Sequence, residues 1–463
     1  MTVSLVVPQA MVEELQAVAA LPTETAGVML ASVAEAPDGH LRLLARHMRW
    51  VDPSAYLRRT EYGLTIRSEG YVPALAQAET LRAACIWVHT HPGWDASPRP
   101  SEHDRIVDRQ LADLFRLRSG SPYYGALIFA PRSSDLVFTG HVQCEGADPL
   151  QVERMWQVGD RWRLSRAFDS TQPPLSKLFD RNVRALGPII QHTLGDLKVG
   201  IVGCGGTGSV VAEQLVRLGV RRLSLIDPDD LSESNLTRVY GSTQKDVGRA
   251  KAVVLAQHLT AISADTQCDI TRAMLTVENS ARRLVGCDLV FGCTDDNAGR
   301  LVLSRFASYL LTPVIDIGVL ITSDAEGQLS GIDGRVTTLS PGDACLVCRG
   351  RIDLARAGAE LLTPAERVRR ENEGYAPALA RVEPAVVAFT TMVGAMAVSE
   401  LLERLVGYGP EPRPSEVLLR CHERQISTNA ALPRDGHYCH PSSGKLGLGM
   451  TKPFLDQTWP TTT

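Results

Sequence analysis

The alternation of apolar and polar positions changes character part-way along the chain. From Ser4 to about Ala147, short apolar runs (VMLAS, RLLARHM, AACIWVHTHP, GALIFAP) read as strands. One stretch, DRIVDRQLADLFRLR, instead spaces its apolar residues three and four apart, as an amphipathic helix does. The mixture predicts an α+β domain over 1–150. A charged segment containing two tryptophans, VERMWQVGDRWRLSRAF, then leads into DSTQPP, and the polar, proline-rich composition marks 151–176 as a linker. From Lys177 strand-like and helix-like segments alternate: KVGIVG, GSVVAEQLVRLG, RRLSLID, a helix from about Gly248, DLVFGCTD and PVIDIG. Such alternation predicts βαβ units and a doubly wound, mostly parallel sheet over 177–445, so the chain as a whole is α/β. The closing residues, 446–463, are rich in Gly, Pro and Thr and read as a flexible tail. No internal repeat is evident.

A chain of 463 residues exceeds what one core usually serves, which agrees with two domains. Lys and Arg (48) are outnumbered by Asp and Glu (52), and no basic run interrupts that balance, so nucleic acid is not an expected partner. The longest largely apolar run, residues 385–398, falls short of the roughly 18 residues a membrane span needs. The opening MTVSLVVPQA has none of the features of a secretory signal, and the expected location is cytoplasmic. Ten cysteines are scattered through the chain, at 85, 144, 204, 268, 287, 293, 345, 348, 421 and 439. Without an export signal, metal ligation and ordinary burial are better readings than disulfides.

Two constellations carry chemistry. In the first, His89 and His91 fall at alternate positions of a β-branched, apolar strand, so their side chains face one way and can share a metal. Asp104 stands at a helix start that Ser101 caps, and it supplies a possible third ligand. Three protein ligands with one exchangeable position are what catalytic zinc requires. The whole run His-x-His-Pro…Pro-Ser-x-x-Asp resembles the JAB/MPN metalloproteases, the JAMM motif. That resemblance implies zinc on His89, His91 and Asp104, Glu24 (in TETAGV) as general base, and Ser101 steadying the oxyanion. The span from His91 to Ser101 is longer than that family's usual one, which points to a bulged loop over 93–99. A domain that keeps this fold but only binds is the alternative.

In the second constellation, Gly203-Cys204-Gly205-Gly206-Thr207-Gly208 comes after the strand KVGIVG and opens a helix, and Asp227 stands nineteen residues beyond Gly208. Glycines there let phosphates approach a helix N-terminus while the acid holds a ribose hydroxyl. A nicotinamide-dependent oxidoreductase would show the same motif. The flanking segments choose between the two. DPDDLSESNLTR, VGRAKA and FGCTDDNAGR downstream, with DRNVRALG and Gln191 upstream, resemble in order the segments of the ubiquitin-activating superfamily, whose simple members are the ThiF and MoeB adenylyltransferases. Over about 178–439 that resemblance implies ATP and magnesium as cofactors. Gly203, Gly205, Gly206 and Gly208 form the phosphate loop, Asp227 binds the ribose and Asn235 assists the phosphate site. Arg238, Lys251 and Arg181 stabilise the phosphates, with Arg181 reaching across a homodimer, and Asp295 organises magnesium.

Cys345-Leu-Val-Cys348 resembles half of that family's structural zinc site. His437, Cys439 and His440 are the candidates for the other half. No cysteine lies between Arg349 and Arg420, where thioester-forming relatives often keep their nucleophile, and the corresponding stretch reads ENEGYAPALARVEPAVV. Cys204 and Cys293 fall within nucleotide motifs and Cys421 on a late strand, where burial is expected.

Together the two resemblances imply a bifunctional enzyme. One domain hydrolyses an amide or isopeptide bond at the C-terminus of a ubiquitin-like protein, and the other adenylates the glycine carboxylate so exposed. The partners expected are that carrier and a conjugating-enzyme-like or sulfur-donor protein. Activation of a sulfur carrier for cofactor or metabolite synthesis, and a scaffold that binds a carrier without turnover, are the competing readings.

Overall fold

In a computed structural model, residues 2–93, 97–133, 135–362, 366, 369–370 and 384–460 are described. The chain divides into two compact units: one runs to Pro173 and takes in Gly447–Met450, and the other holds the remainder.

The first unit is built on β1 (Val3–Pro8), β2 (Ala26–Glu35), β3 (Leu41–Trp50), a hairpin of β4 (Tyr56–Thr60) and β5 (Gly63–Ile66), and five further strands. These are β6 (Ala84–Thr90), β7 (Tyr123–Arg132), β8 (Asp135–Cys144), β9 (Leu150–Val158) and β10 (Arg163–Arg166). Apart from the hairpin they form one sheet in the order β1-β3-β2-β6-β7-β8-β9-β10, and β1 also pairs with β9, so the sheet closes on itself. Side chains alternate across it. Ile86 and Val88 face a core shared with α1 (Gln9–Ala19), whereas Cys85 and Trp87 face a second core. That second core is completed by α2 (Val72–Leu81) and α3 (Glu102–Ser119).

The stretch expected to be a linker belongs largely to this sheet. Val152, Met155, Trp156 and Val158 of β9 are buried, with the charged residues between them at the surface or half-buried. The boundary therefore lies near Pro173 and not at residue 150. Charge on one face of a strand had disguised it.

The second unit carries β11 (Lys198–Val202), β12 (Arg222–Ile226), β13 (Gln267–Thr271), β14 (Leu289–Gly292), β15 (Val314–Ser323), β16 (Leu329–Leu339), β17 (Glu416–Arg420) and β18 (Gln425–Asn429). The sheet order is β13-β12-β11-β14-β15-β16-β17-β18. Pairings from β13 to β15 are parallel, and those from β15 to β18 are antiparallel. Val199, Ile201, Leu223, Leu225, Val290 and Phe291 are all buried, the near-continuous apolar character of strands covered on both faces. The helices are α4 (Asp180–Leu186), α5 (Pro188–Asp196), α6 (Gly206–Leu218), α7 (Lys251–Ile262), α8 (Glu278–Arg282), α9 (Asn297–Tyr309), α10 (Leu354–Glu360) and α11 (Val387–Val406).

Strand order reverses between β11 and β14, and ligands of doubly wound sheets bind at such a switch point, beyond the strand C-termini. The C-terminal residues are not a loose tail. Phe454 and Leu455 are buried, Phe454 packs edge-on to Phe306 of α9, and Arg305 donates to the Leu455 carbonyl at 2.9 Å. Among the described residues no helix is long and apolar enough to cross a membrane.

Candidate functional site

In the first unit, strand register brings Glu24 and the His89/His91 pair together. Ala26 of β2 stands opposite His89 of β6, so Glu24 and Ala26 take the same face as His89 and His91. His91 lies one residue beyond β6, where its amide bonds the Phe129 carbonyl and its Nδ1 approaches the Ser97 carbonyl at 2.8 Å. Ser101 caps α3 in a reciprocal box: its Oγ accepts from the Asp104 amide, and Asp104 Oδ2 accepts from the Ser101 amide at 2.7 Å. Since Ser101 uses only an oxygen lone pair there, its hydroxyl hydrogen remains able to donate.

The box aims the Asp104 carboxylate back at the strand. Oδ1 lies 3.4 Å from His89 Nε2, and Oδ2 lies 3.8 Å from His91 Nε2. One ligand atom from each of the three residues falls within 4.8 Å of the others. Both ring nitrogens of His89 are buried without a hydrogen bond. A buried imidazole with neither nitrogen satisfied, facing a second imidazole and a carboxylate, is a donor set that fits zinc.

Glu24 is 8% exposed, and burial pushes its carboxyl up to about 7 against the opposing pull of His89. Although burial works the other way on Asp104, the neighbouring His89 and the Ser101 bonds hold its carboxyl far below the usual range. Two acids in one site thus differ in proton affinity, the condition for one to carry a proton while the other stays an anion. The turn bearing Glu24 is held by residues that no sequence motif singles out. Arg59 donates to the Glu24 carbonyl at 3.0 Å and to Thr25 Oγ1, the Glu24 amide bonds the Thr60 carbonyl, and Tyr56 Oη accepts from the Ala26 amide. Part of the span expected to bulge, residues 94–96, lies outside the described residues.

In the second unit a cavity of about 970 Å³ opens at the switch point. Gly203, Gly205, Gly206, Asp227, Arg238, Lys251 and Asp295 all line it. Gly203 has φ +89°, and a Cβ there would stand 2.6 Å from the Cys293 carbonyl oxygen. Gly208 lies behind the loop, where a Cβ would collide with the Gly203 carbonyl oxygen, so only glycine lets α6 start this close to β11.

Asp227 is 5% exposed and accepts from the amides of Cys204 at 2.6 Å and Asp229 at 2.9 Å. Burial outweighs those bonds and raises its carboxyl above the ordinary value. Lys251 pairs with Asp229 at 2.8 Å, and Asp295 is exposed. Asn235 is spent locally: its Oδ1 accepts from the Ser232 amide and fixes the short turn leading to Arg238. Arg181 is exposed on α4 and does not line the cavity.

Arg300 closes the FGCTDDNAGR segment, but the other arginines at the far end of the cavity fall outside every motif. Arg300, Arg335, Arg351, Arg356 and Arg420 line it, contributed by α9, β16, α10, β17 and the segment between β16 and α10. Arg335, Arg351, Arg356 and Arg420, single arginines at separate places in the chain, leave no local signal.

Cys345, Cys348, His437 and Cys439 converge, with His437 Nδ1 3.2–3.5 Å from the three sulfurs and Cys348 Sγ 3.6 Å from Cys439 Sγ. Tetrahedral ligands at zinc's bond lengths lie roughly 3.3–3.8 Å apart, so this set fits a structural zinc. His440 is not part of it. Its Nδ1 meets Ser442 Oγ at 2.7 Å and its Nε2 faces Asp435 at 3.4 Å. Cys204 is buried, Cys293 lines the cavity, and Cys421 is half-buried at the end of β17. Residues 371–383, within the stretch where thioester-forming relatives often keep a cysteine, lie outside the described residues.

The model of the ThiF family matches residues 179–439. The sulfur carrier protein ThiS adenylyltransferase of Escherichia coli K12 is 35% identical over 151 residues, which cover 33% of this chain and 56% of that protein. Ubiquitin-like modifier-activating enzyme 5 of Oryza sativa subsp. japonica is 30% identical over 225 residues, 43% of this chain and 51% of that protein. The chain thus spans about half the length of these curated relatives. A solved structure of E. coli MccB with ATP aligns over 57% of this chain and 75% of that one, at 17% identity and a TM-score of 0.45.

Proposed function

Since the chain belongs to the ThiF family, we propose that its second unit adenylates the C-terminal carboxylate of a ubiquitin-like or sulfur-carrier protein. The observation that carries this is the cavity gathering Gly203, Gly205, Gly206, Asp227, Arg238, Lys251 and Asp295 at one switch point. Asp227 holds the ribose, and the phosphates lie over the glycine loop and the N-terminus of α6. A carboxylate oxygen then attacks the α-phosphorus, forming an acyl-phosphate anhydride and breaking the α–β bond to release pyrophosphate. Negative charge grows in that step, and Arg238 and Lys251 are placed to offset it. Magnesium, when bound, would neutralise phosphate charge next to Asp295. Arg181, exposed on α4, serves the cavity of a second copy in a homodimer.

We further infer that the first unit is a JAB/MPN-type zinc hydrolase acting on the same carrier, by trimming a precursor or by removing carrier from a target. Zinc held by His89, His91 and Asp104 would supply Lewis-acid activation of water. Glu24, its carboxyl pushed up to about 7, is suited to take a proton and return it to the leaving amine, and Ser101 to donate to the developing oxyanion. The four-residue Cys/His cluster would hold a second, structural zinc.

The deciding experiment combines metal analysis with pyrophosphate release on adding ATP, magnesium and a diglycine-ended carrier. Two zinc ions per chain and carrier-dependent release are expected. No zinc and no release would leave only the scaffold reading. An oxidoreductase would instead bind reduced nicotinamide, for which Arg238, Lys251 and Asp295 have no evident use.

A further inference from the structure

The geometry points to Arg300 and Arg335, with Asp316 between them, as the point in the cavity that holds the acyl substrate's terminal carboxylate; this rests on the adenylation reading above. Asp316 on β15 is fully buried. Arg335 Nη2 donates to its Oδ2 at 2.6 Å, and Arg300 Nε lies 3.3 Å from its Oδ1. Two guanidiniums therefore share one carboxylate and leave a net positive charge. Their side chains are 15% and 16% exposed, and both line the cavity.

The cluster is under-bonded as it stands. Among the described residues the Nε of each arginine and Oδ1 of Asp316 are buried without a hydrogen bond, and Arg300 Nη2 donates to the Ile317 carbonyl at 3.2 Å. With two guanidiniums on one carboxylate, the cluster keeps a net positive charge where the arginine side chains line the cavity, and that charge favours an arriving anion. Planar forks of this kind match a carboxylate.

Its position is also right for the reaction. Asp316 is the register partner of Gly292, and the next residue, Cys293, backs Gly203 of the phosphate loop. Gly318, two residues on, adds to this. A Cβ there would lie 3.3 Å from Arg335 Nη2 and 3.7 Å from Arg300 Nη2, so glycine leaves those groups open to a chain end poor in side chains. The nucleotide already has its own cations. Arg238 sits against Gly206, and Lys251 stands beside Asp229. Adenylation brings two anions into one cavity, and the second cationic point fits the second anion.

A short synthetic peptide ending in Gly-Gly with a free carboxylate, and the same peptide as its C-terminal amide, test this on the full chain with magnesium and a non-hydrolysable ATP analogue. The acid should bind roughly 10- to 100-fold more tightly than the amide, the usual effect of a charge-assisted pair. Arg335→Gln should abolish that preference while nucleotide affinity stays within about twofold. Arg335→Lys keeps the charge without the fork and should retain only part of the preference. A purely structural latch between β15, β16 and α9 would weaken peptide acid, amide and nucleotide alike, and that result overturns the proposal. Equal binding of acid and amide by the unaltered chain also overturns it. If Arg335→Gln does not fold, Arg335→Lys carries the test, and an undiminished acid preference in it counts against the fork. Failure of the unaltered chain to release pyrophosphate with any carrier would instead remove the adenylation reading itself.

Discussion

Glu24 shows how burial changes the proton affinity of an ordinary residue type. Its carboxyl is raised to about 7 because burial disfavours the charged form, so ionising it costs the metal-free fold free energy as pH climbs from the unfolded value near 4.5 through 7. A raised acid favours the fold below its unfolded pKa, and that advantage is lost at high pH. Glu24→Gln, neutral at every pH, should therefore stabilise the zinc-stripped protein by about 1–3 kcal/mol at pH 8, with the gain shrinking towards pH 5. Thermal unfolding of both proteins at the two pH values reads this, and a gain of equal size at both would mean the carboxyl is not perturbed. The same substitution should cut carrier cleavage by about 10²–10⁴-fold while zinc remains bound. His89, His91, Ser101 and Asp104 were legible because a strand period and a helix cap are local properties of sequence, whereas Glu24 came only through the family resemblance. Arg59 and Tyr56 were not, since they reach the Glu24 turn from a hairpin that packs there only in three dimensions.

Where β11 meets α6, the glycines divide into two kinds that sequence alone cannot separate. A Cβ on Gly208 would collide with the Gly203 carbonyl, whereas one on Gly205 meets nothing within 4 Å, and Gly205 has a φ of −77° open to any residue. Gly208→Ala should thus cost about 1–3 kcal/mol or more of stability, as overpacking does. Gly205→Ala should change stability by less than about 0.5 kcal/mol and still weaken ATP binding, because its methyl would stand where phosphates approach the amides. Unfolding midpoints and nucleotide titrations of the two variants separate the effects; equal destabilisation by both would contradict the packing. The parallel βαβ core was legible for the same reason as the motif, namely uninterrupted apolar strands alternating with amphipathic helices. The strands β9 and β10, and the antiparallel run from β16 to β18, were not, because strands with one wet face carry charge that imitates loop. Phe454 and Leu455 were lost in the same way, two apolar residues among glycines and prolines that nevertheless find a groove beside Phe306.

Among the described residues, each candidate site is built from one unit. Glu24, His89, His91, Ser101 and Asp104 belong to the first, and every residue lining the nucleotide cavity belongs to the second. With these groups on separate units, the two reactions should be separable. Asp295→Ala should abolish pyrophosphate release and leave cleavage intact, while Glu24→Gln should do the reverse. The fusion then poses a further question, whether a trimmed carrier passes directly between the sites or leaves and returns. Mixing the two variants answers it, given a carrier whose glycine end is masked by a short extension. If the exposed carboxylate diffuses freely, the mixture should release pyrophosphate at a rate that rises with carrier concentration, approaching that of the unaltered chain at the same concentration of intact adenylation sites. If hydrolysis and activation are coupled within one chain, the mixture stays well below the unaltered chain at every concentration. Sites whose described groups lie on separate units favour the first outcome, and persistent failure of the mixture would show that joining them adds a step that neither performs alone.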